Sequence, residues 1–552
     1  MKKSLMFAIC VLGLAMAIPT VLSAQGGGLV SDQEMAGDWK PNLGSIEKPE
    51  ELVTPIDNKI ETKEMTYDEK QVKAPTEYKP QEVKLPQPPK PPMDELQNNL
   101  VKFSFGRFAS PYAKVFLNTG RNVDGRAGLE FSHASSSKGY VDYAEWRDDI
   151  LGAYGQYYTK ENTFKGAIRF QNSNYFYFAD TIVAANPEFK DTIRNTFTKF
   201  EADMSLARNY NPEGVNYDVG LNFQGYFDRW DNKDIHISLL PKLNWKITDM
   251  FGADIASAFT FSNSTFDTVQ QSRFFLDLTP TVTFKYEGLS VQGGIKVNTF
   301  ADSTSKFKAF PVFKARYQLI PEKLSLAAGI VGEMHYLKYY DLIDQNRYIN
   351  RLPDIRPMRD ASNIYFGVDG QFAKHFTFSA RGYTKKVKDQ LIYFNPENSA
   401  YFQMLYDSNF TQSGAEISLT FNKNDKIRAG VRGDFRSFKT SNIYANFNMP
   451  GTKVDIWGSY NFANKVWVAA EIYLFGPRTM SVQVDTITGP SDILIPIKQG
   501  VVADVNLSAE YRFSKRLSLF LELNNLLDNR WQRWYNYQER PFDIKGGVTF
   551  SF

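Results

Sequence analysis

Apolar and polar residues alternate along most of this chain with a period of two residues. Residues 541–552 show the alternation most clearly. One face of this segment carries Phe542, Ile544, Val548, Phe550 and Phe552, and the other face carries Asp543, Lys545, Gly547, Thr549 and Ser551. Successive side chains of a β-strand point to opposite faces of the sheet. We therefore predict a strand here with one apolar face and one polar face.

The same pattern recurs from about residue 100 to residue 552. Clear examples are residues 101–105, 126–131, 215–224 and 501–513. The fuller runs have the ~10-residue length that a tilted strand needs to cross the hydrocarbon layer. A membrane-spanning sheet with a free edge would leave backbone N–H and C=O groups unpaired in lipid. The fold class predicted for residues 99–552 is therefore all-β, a closed transmembrane antiparallel up-and-down barrel.

The connections between these strands fall into two classes. Short turns occur at residues 248–250, 286–288, 319–324, 373–375, 422–426, 463–465 and 514–516. Longer polar connections occur at residues 339–360, 394–400, 440–450, 483–498 and 528–540. Outer-membrane barrels have short periplasmic turns and longer extracellular loops. Counting each short turn as one hairpin gives about 22 strands, an even number that places both ends of the barrel in the periplasm.

The composition agrees with a wall that faces lipid on one side and water on the other. Aromatic residues make up 15% of the chain, with 44 Phe and 30 Tyr, yet the mean hydropathy is −0.39. The competing architecture is a soluble β-propeller or β-solenoid, but neither needs apolar faces turned outward. The net charge of +3 gives no sign of a polyanion-binding surface, so nucleic acid is not an expected partner.

The N-terminus has the features of a secretory signal peptide. Two lysines precede an apolar run over residues 5–22, and small residues follow it. We predict that residues 1–24 are the signal peptide; the alternative is a retained membrane anchor. Cys10 is the one cysteine and lies inside this run, so the mature chain would lack disulfides and cysteine metal ligands. Export and amphipathic strands together predict the outer membrane of a Gram-negative cell, with membrane lipid around the barrel.

Residues 25–98 differ in character from the rest of the chain. They are charged, and they end in the proline-rich sequence LPQPPKPP at residues 85–92. Such a segment buries too little apolar surface to offset its ordering entropy, and its prolines favour an extended conformation. We predict a disordered periplasmic arm. It serves either as a spacer or as a tether that binds a periplasmic or lipoprotein partner.

Residues 517–523 carry leucine at alternate positions and lead into the segment NLLDNRW at residues 525–531. An aromatic loop and the last strand follow. This arrangement resembles the closing hairpin of TonB-dependent receptors. The resemblance implies a barrel of about 22 strands. It also implies that Phe542, Phe550 and Phe552 belong to the C-terminal signal by which the barrel-assembly machinery recognises its substrates.

The chain also departs from that family. TonB-dependent receptors place a folded plug domain and a short TonB-contacting box ahead of the barrel. Here only the proline-rich residues 25–98 lie between the predicted cleavage site and the first strand, and a plug does not fit there. The departure argues against TonB-driven uptake. An unplugged barrel of this size encloses a wide aqueous lumen, so we expect the arm, the long loops or a partner protein to fill or gate it.

The sequence therefore supports two alternative hypotheses about function. The first is a transport pore or receptor-like channel on a TonB-dependent-receptor type of barrel without its plug. The second is a structural or assembly subunit that anchors partners through the proline-rich arm. The lumen favours the first hypothesis, and the arm favours the second.

Three arginines project from the polar face of one predicted strand. Arg428, Arg432 and Arg436 share this face with Asp434, and the opposite face is apolar. Arginines on a lumen wall attract anions or phosphates. The alternative is that they pair with neighbouring carboxylates, such as Asp434 or Glu416, and brace the wall.

Four aromatic residues lie in the last long connection. Trp531, Trp534, Tyr535 and Tyr537 present enough ring area to stack on a sugar or another flat ligand. The alternative is an interfacial girdle, in which such rings lie at the level of the lipid headgroups.

No constellation for catalysis or for cofactor binding is evident. The histidines lie singly, without the spacing of metal ligands, at His133, His236, His335 and His375. Neither a glycine-rich phosphate loop nor a G-x-S-x-G sequence is present. We therefore expect no enzymatic activity, no cofactor and no metal site.

Overall fold

The structure is a computed structural model, and it describes residues 97–120, 124–179, 187–211, 214–302, 305–395, 399–424, 426–485 and 493–552. The predicted signal peptide and almost all of the predicted arm lie outside the described residues. In the part of the chain that is described, no helix is long and apolar enough to cross a membrane.

The described residues form 28 strands, one α-helix and one 3₁₀ helix, Pro187–Thr192. The strands are β1 Leu100–Gly106, β2 Tyr112–Asn118, β3 Gly125–Ser136, β4 Trp146–Tyr158, β5 Asn162–Phe176, β6 Arg194–Arg208, β7 Val215–Asp228, β8 Lys233–Lys246, β9 Phe251–Phe266, β10 Val269–Tyr286, β11 Leu289–Ala301, β12 Ser305–Ile320, β13 Leu324–His335, β14 Met358–Ala373, β15 Phe376–Lys388, β16 Gln390–Phe394, β17 Gln403–Asp407, β18 Phe410–Lys423, β19 Ile427–Lys439, β20 Thr452–Phe462, β21 Val466–Phe475, β22 Arg478–Asp485, β23 Ile493–Gln499, β24 Val502–Arg512, β25 Leu517–Asn524, β26 Gln532–Trp534, β27 Tyr537–Gln538 and β28 Asp543–Ser551. The α-helix, α1, is Tyr339–Gln345.

Twenty-two of these strands form one closed antiparallel sheet. The sheet closes where β1 pairs with β28, in a register that runs from Leu100 opposite Ser551 to Gly106 opposite Lys545. Beyond the ladder, the backbone N–H groups of Asn99 and Phe552 each donate to the other residue's C=O at 3.1 Å. The predicted all-β barrel is confirmed, and so is the predicted strand number. Both ends of the barrel lie on the side of the short turns, as expected.

The two faces of the wall differ as the alternation predicts. Outward side chains are exposed, for example Leu129 at 53%, Met204 at 61% and Phe366 at 58%. Inward positions carry polar side chains such as Asn222 and Asn298, which are buried. Large exposed apolar side chains are stable on this surface only where lipid covers them. The wall therefore has the apolar exterior and polar interior of a membrane barrel.

The remaining strands lie in the long connections. β16 pairs with β17, β22 with β23, and β26 with β27, each as a separate two-stranded sheet. Helix α1 lies in the connection between β13 and β14. All of these elements lie at the end opposite the short turns, which is the extracellular end in outer-membrane barrels.

The last strand is shorter than the sequence pattern suggests. β28 begins at Asp543, so Phe542 lies just before it. The Phe542 N–H donates to Asp528 Oδ1 at 2.9 Å, and its C=O accepts from Arg107 Nη1 at 3.0 Å. These side chains satisfy the Phe542 backbone outside the ladder. Phe550 and Phe552 project outward, at 43% and 44% exposure.

Barrel closure depends on a glycine at position 547. A Cβ there would lie 2.2 Å from the Phe103 carbonyl oxygen and 2.5 Å from Phe520 Cζ. We expect Gly547→Val to lower the yield of folded barrel severalfold, because overpacking costs about 1–3 kcal/mol even where neighbours can move. The measurement is the fraction of purified protein with heat-modifiable gel migration.

The adjacent glycine provides a matched control. A Cβ on Gly546 would meet no atom within 4 Å. We expect Gly546→Val to fold like the wild type, because its side chain points outward. Equal yields from the two variants would show that close packing at Gly547 does not limit closure.

Candidate functional site: the loop cap and the charged lumen wall

Three long connections pack together at the extracellular end of the barrel. We call them the loop cap and define it as residues 336–357, the described part of 389–409, and 525–542. Their apolar side chains join inward-facing aromatic residues from the ends of the barrel strands in one core. The buried members of that core are Tyr175, Tyr177, Ala179, Ile193, Phe197, Tyr226, Phe266, Tyr339, Tyr340, Leu342, Ile343, Ile349, Ile355, Leu391, Tyr393, Ala400, Phe402 and Tyr537.

Helix α1 packs against the inner wall. The Tyr339 ring lies 5.0 Å from the rings of both Tyr226 on β7 and Phe266 on β9. Leu342 and Ile343 are 1% and 2% exposed. A seven-residue helix is not stable in isolation, so these tertiary contacts must hold it in place. The connection between β13 and β14 thus folds into the mouth of the barrel rather than away from it.

Polar contacts connect α1 to the same part of the wall. Lys199 Nζ lies 2.6 Å from Asp344 Oδ1, and the Lys199 side chain is 3% exposed. The Tyr340 N–H donates to Asp234 Oδ2 at 3.0 Å. Lys338 Nζ donates to Gln224 Oε1 at 2.8 Å. These bonds join the cap to β6, β7 and β8, which lie several strands away from β13 and β14.

The three parts of the cap also bind one another. The Phe402 N–H donates to the Tyr348 carbonyl at 2.8 Å, and the Asn350 N–H donates to the Phe402 carbonyl at 2.9 Å. The rings of Tyr348 and Tyr537 are stacked, with centroids 3.5 Å apart. The Tyr537 hydroxyl donates to the Ala400 carbonyl at 2.5 Å. Each connection therefore depends on the other two for its conformation.

Burial sets the ionisation of the groups in this core. It raises the pKa of Tyr339 and that of Tyr537 well above the usual value, and it raises the pKa of Tyr348 to about 12. These phenols are therefore neutral at pH 7, and the neutral Tyr537 hydroxyl can donate its hydrogen bond to the Ala400 carbonyl.

A carboxylate joins the β16–β17 hairpin to the neighbouring connection, residues 440–451. Burial raises the pKa of Asp407, but hydrogen bonds outweigh that effect and hold the pKa below its usual value. The Ser441 N–H donates to Asp407 Oδ2 at 2.7 Å and the Ser441 hydroxyl to Oδ1 at 2.6 Å, while the Asn409 N–H donates at 2.9 Å. An ionised Asp407 thus ties the two connections together at neutral pH.

The four predicted loop aromatics all lie in or against the cap. Tyr537 is 2% exposed and Trp531 is 6% exposed. The Trp534 ring packs on Phe402 at 5.2 Å, and Tyr535 packs on the edge of the core. Protein covers the faces of Tyr537 in this arrangement. A ligand-stacking role for these rings stays a prediction, and it would require the cap to open.

The predicted arginines lie on the inner wall. Arg428, Arg432 and Arg436 follow one another along the inward face of β19, with Asp434 between them. Arg436 forms an ion pair with Asp434, and its Nε donates to Asp434 Oδ1 at 2.8 Å. Arg432 lies opposite Asp455 in the ladder. Arg436 thus has the carboxylate partner, Asp434, that the bracing alternative expects. Anion attraction at Arg428 and Arg432 stays a prediction.

The structure brings one histidine close to two carboxylates. Donor atoms of Glu333, His335 and Asp360 all lie within 4.8 Å of one another. Lys385 Nζ lies 2.6 Å from Asp360, and Lys296 Nζ lies 2.6 Å from Glu333. Each lysine contacts one oxygen of its carboxylate, Oδ2 of Asp360 and Oε2 of Glu333. The group therefore has the contacts of an ion-pair network. It is formed across strands, so the spacing of histidines along the sequence does not show it.

Apart from the aromatic residues of the last connection, the residues that hold the cap together were not predicted from the sequence. The connection at residues 339–360 was expected only to be long and polar. One feature of the sequence does indicate that this connection is packed against protein. The segment YYDLIDQ of α1 carries four apolar residues that a solvated loop does not need. The contacts of those residues with β6 to β9 join distant parts of the chain.

Comparisons with known proteins identify the fold. No protein-family model matches the sequence, and no curated protein matches it significantly. Solved structures do match in fold. The FrpB iron transporter of Neisseria meningitidis, F3-3 variant, is 11% identical, with a TM-score of 0.67 over 83% of this chain and 82% of that one.

Two receptors of Pseudomonas aeruginosa are similar to a comparable degree. A mutant of the ferric enterobactin receptor PfeA is 12% identical, with a TM-score of 0.62 over 83% of this chain and 81% of that one. The outer-membrane ferripyoverdine receptor bound to ferripyoverdine is 11% identical, with a TM-score of 0.63 over 82% and 71%. The barrel fold is thus that of TonB-dependent outer-membrane receptors. The predicted resemblance in fold is confirmed, and the barrel points to the cell outer membrane.

The stack between Tyr348 and Tyr537 predicts how the cap responds to a mutation. We expect Tyr537→Ala to loosen the cap, because truncating a buried aromatic side chain costs about 3–5 kcal/mol. Trypsin should then cleave after Arg347 or Arg351 at least tenfold faster, while heat-modifiable migration stays unchanged. The control is Tyr444→Ala, at a side chain that is 53% exposed in a neighbouring connection. Equal cleavage of both variants would contradict this role of Tyr537.

Proposed function

We propose that this protein is an outer-membrane transport barrel without a plug, whose extracellular mouth is closed by the loop cap. The observation that carries the proposal is the attachment of the cap to both sides of the mouth. The cap's chain emerges from β13, β15 and β25. Its Asp344 and Lys338 side chains bind β6 and β7, and its Tyr340 N–H binds β8. A segment held in this way blocks the passage of solute, and its release opens the lumen.

The barrel itself supports a transport role. Twenty-two strands enclose a lumen wide enough for an aqueous channel, and the inner wall is polar. Among the described residues, all strands and helices belong to the wall or to its connections. The proteins with similar folds are described as an iron transporter and as receptors for ferric enterobactin and ferripyoverdine. They are transporters and receptors, which fits a protein that is not an enzyme.

The ion pair between Lys199 and Asp344 is the contact that best tests closure. Lys199 is buried and Asp344 is partly exposed, and removing one partner of such a pair leaves the other charge uncompensated. Lys199→Glu goes further, because it also places a carboxylate opposite Asp344. We expect this variant to release α1 from the wall and to give stable open conductances in planar bilayers. The wild type should stay mostly closed.

Charge exchange provides the control for this experiment. Adding Asp344→Lys to Lys199→Glu restores an attractive pair and should return the wild-type closed behaviour. Lys165→Glu, on the inner wall of β5 near the short turns, should leave conductance unchanged. A large, permanently open conductance in the wild type, or no effect of Lys199→Glu, would contradict closure by the cap.

The second candidate function is that of a structural subunit that anchors periplasmic or lipoprotein partners. The proline-rich sequence of residues 25–98 favours it, because such segments present extended binding surfaces. A pull-down from membranes with and without these residues is the test. Loss of stable partners together with unchanged permeability would support the scaffold and contradict transport as the main role. Recognition of the terminal aromatics by the barrel-assembly machinery stays a prediction.

A further inference from the structure

A recess of about 780 Å³ lies in the inner wall between β10 and β15. Its lining includes the cationic side chains of Lys296, Lys314, Arg316 and Arg381. The carboxylates that line it are those of Glu333 and Asp369. Four cationic and two anionic side chains therefore line this recess, and a third carboxylate, that of Asp277, contacts Lys296 from outside the lining. Glu333 lies three positions before residue 336, where the cap begins, and the rest of the lining extends from there toward the short turns.

Small residues in β13 and β14 create the recess. Ala327, Gly329 and Gly367 lie between the longer side chains of β12 and β15. A Cβ on Gly329 would lie 2.7 Å from the Tyr365 hydroxyl oxygen and 2.8 Å from the Phe313 carbonyl oxygen. The glycine is what allows the Tyr365 side chain to approach the wall this closely. The Arg381 guanidinium then lies over the Tyr365 ring, 4.1 Å from its centroid.

The four cations are not equally neutralised. Arg316 makes two bonds to Asp369, at 2.9 and 3.2 Å. Lys296 binds Glu333 at 2.6 Å and Asp277 at 3.2 Å. Lys314 has no ion pair with any residue that the structure describes. Arg381 has none there either, and its Nε is buried without a hydrogen-bond partner.

Lys314 and Arg381 are placed to act on one ligand. They project into the lumen from β12 and β15, three strand spacings apart, which corresponds to about 14 Å between their backbones. Both side chains are long and flexible, so their charged ends can approach a ligand between them. Two separated cations favour an anion with two separated charged groups over a single small ion.

We propose that this recess binds a multivalent anionic solute, one that carries two or more carboxylate or phosphate groups. Arg381, held on Tyr365, binds one group, and Lys314 binds another from the opposite side of the recess. Arg316 and Lys296 remain paired with their carboxylates, so Lys314 and Arg381 supply the charge that binds the solute. This inference rests on the proposed transport function, because it places a solute site on the lumen wall between the cap and the short turns.

Equilibrium binding to the purified, full-length mature protein tests the proposal. The probes are citrate and inorganic pyrophosphate, with sucrose as the neutral probe, measured by calorimetry at low ionic strength. We expect saturable binding of at least one anion, weakened by added salt, and none of sucrose. Lys314→Gln and Arg381→Gln should each weaken binding at least tenfold. Lys242→Gln, at a lumen-facing lysine of β8, should leave binding unchanged.

Heat-modifiable migration establishes that each variant forms a folded barrel before binding is measured. Absence of saturable anion binding by the wild type would overturn the proposal. An equal loss in Lys242→Gln would also overturn it, because the effect would then come from the general charge of the lumen. Binding that follows the expected pattern in a barrel that never conducts would support the recess and contradict transport. Conductance that depends on Lys199, without anion binding, would support transport and overturn the proposed anion site.

Discussion

The closed hydrogen-bond ladder is the constraint on which this structure depends. Backbone groups in a bilayer have no water to bind, so each strand must satisfy them through its neighbours. The pairing of β1 with β28 removes the two edges that any open sheet would leave. Closure also gives the two faces of every barrel strand different surroundings. One face meets lipid and the other meets the lumen, which is why a two-residue period extends over most of the chain.

Closure has a cost for function, because it creates a passage through the membrane. In the described part of the chain, connections rather than barrel strands lie across the extracellular end of that passage. The loop cap has an aromatic core of its own, and it makes ion pairs and hydrogen bonds with the inner wall. Its stability comes from tertiary contacts between distant segments, whereas that of the wall comes from the ladder. The two parts can therefore change conformation separately, which is the property that a gate requires.

The sequence allowed the barrel to be predicted, and it did not allow the cap to be predicted. Alternation is a local property, so residues 215–224 show their two faces without knowledge of the rest of the fold. The short turns can likewise be recognised in the sequence by their length and polarity. The cap depends on pairs such as Lys199 with Asp344 and Tyr348 with Tyr537, which are far apart in the sequence. The aromatic loop is evident in the sequence, but its packing partners are not, because no local pattern specifies them.

The attachment of the cap has a mechanical consequence for the whole cylinder. A wide tube of thin wall deforms easily from a circular to an elliptical cross-section, since its strands only need to change their mutual twist. The cap connects two sides of the extracellular rim. Its chain is attached on one side, and Lys199 and Asp234 bind it on the other. It therefore stiffens the extracellular rim, whereas the opposite rim, in the described residues, carries short turns. Detachment of the cap from Lys199 and Asp234 would therefore change both the width of the entrance and the flexibility of the wall.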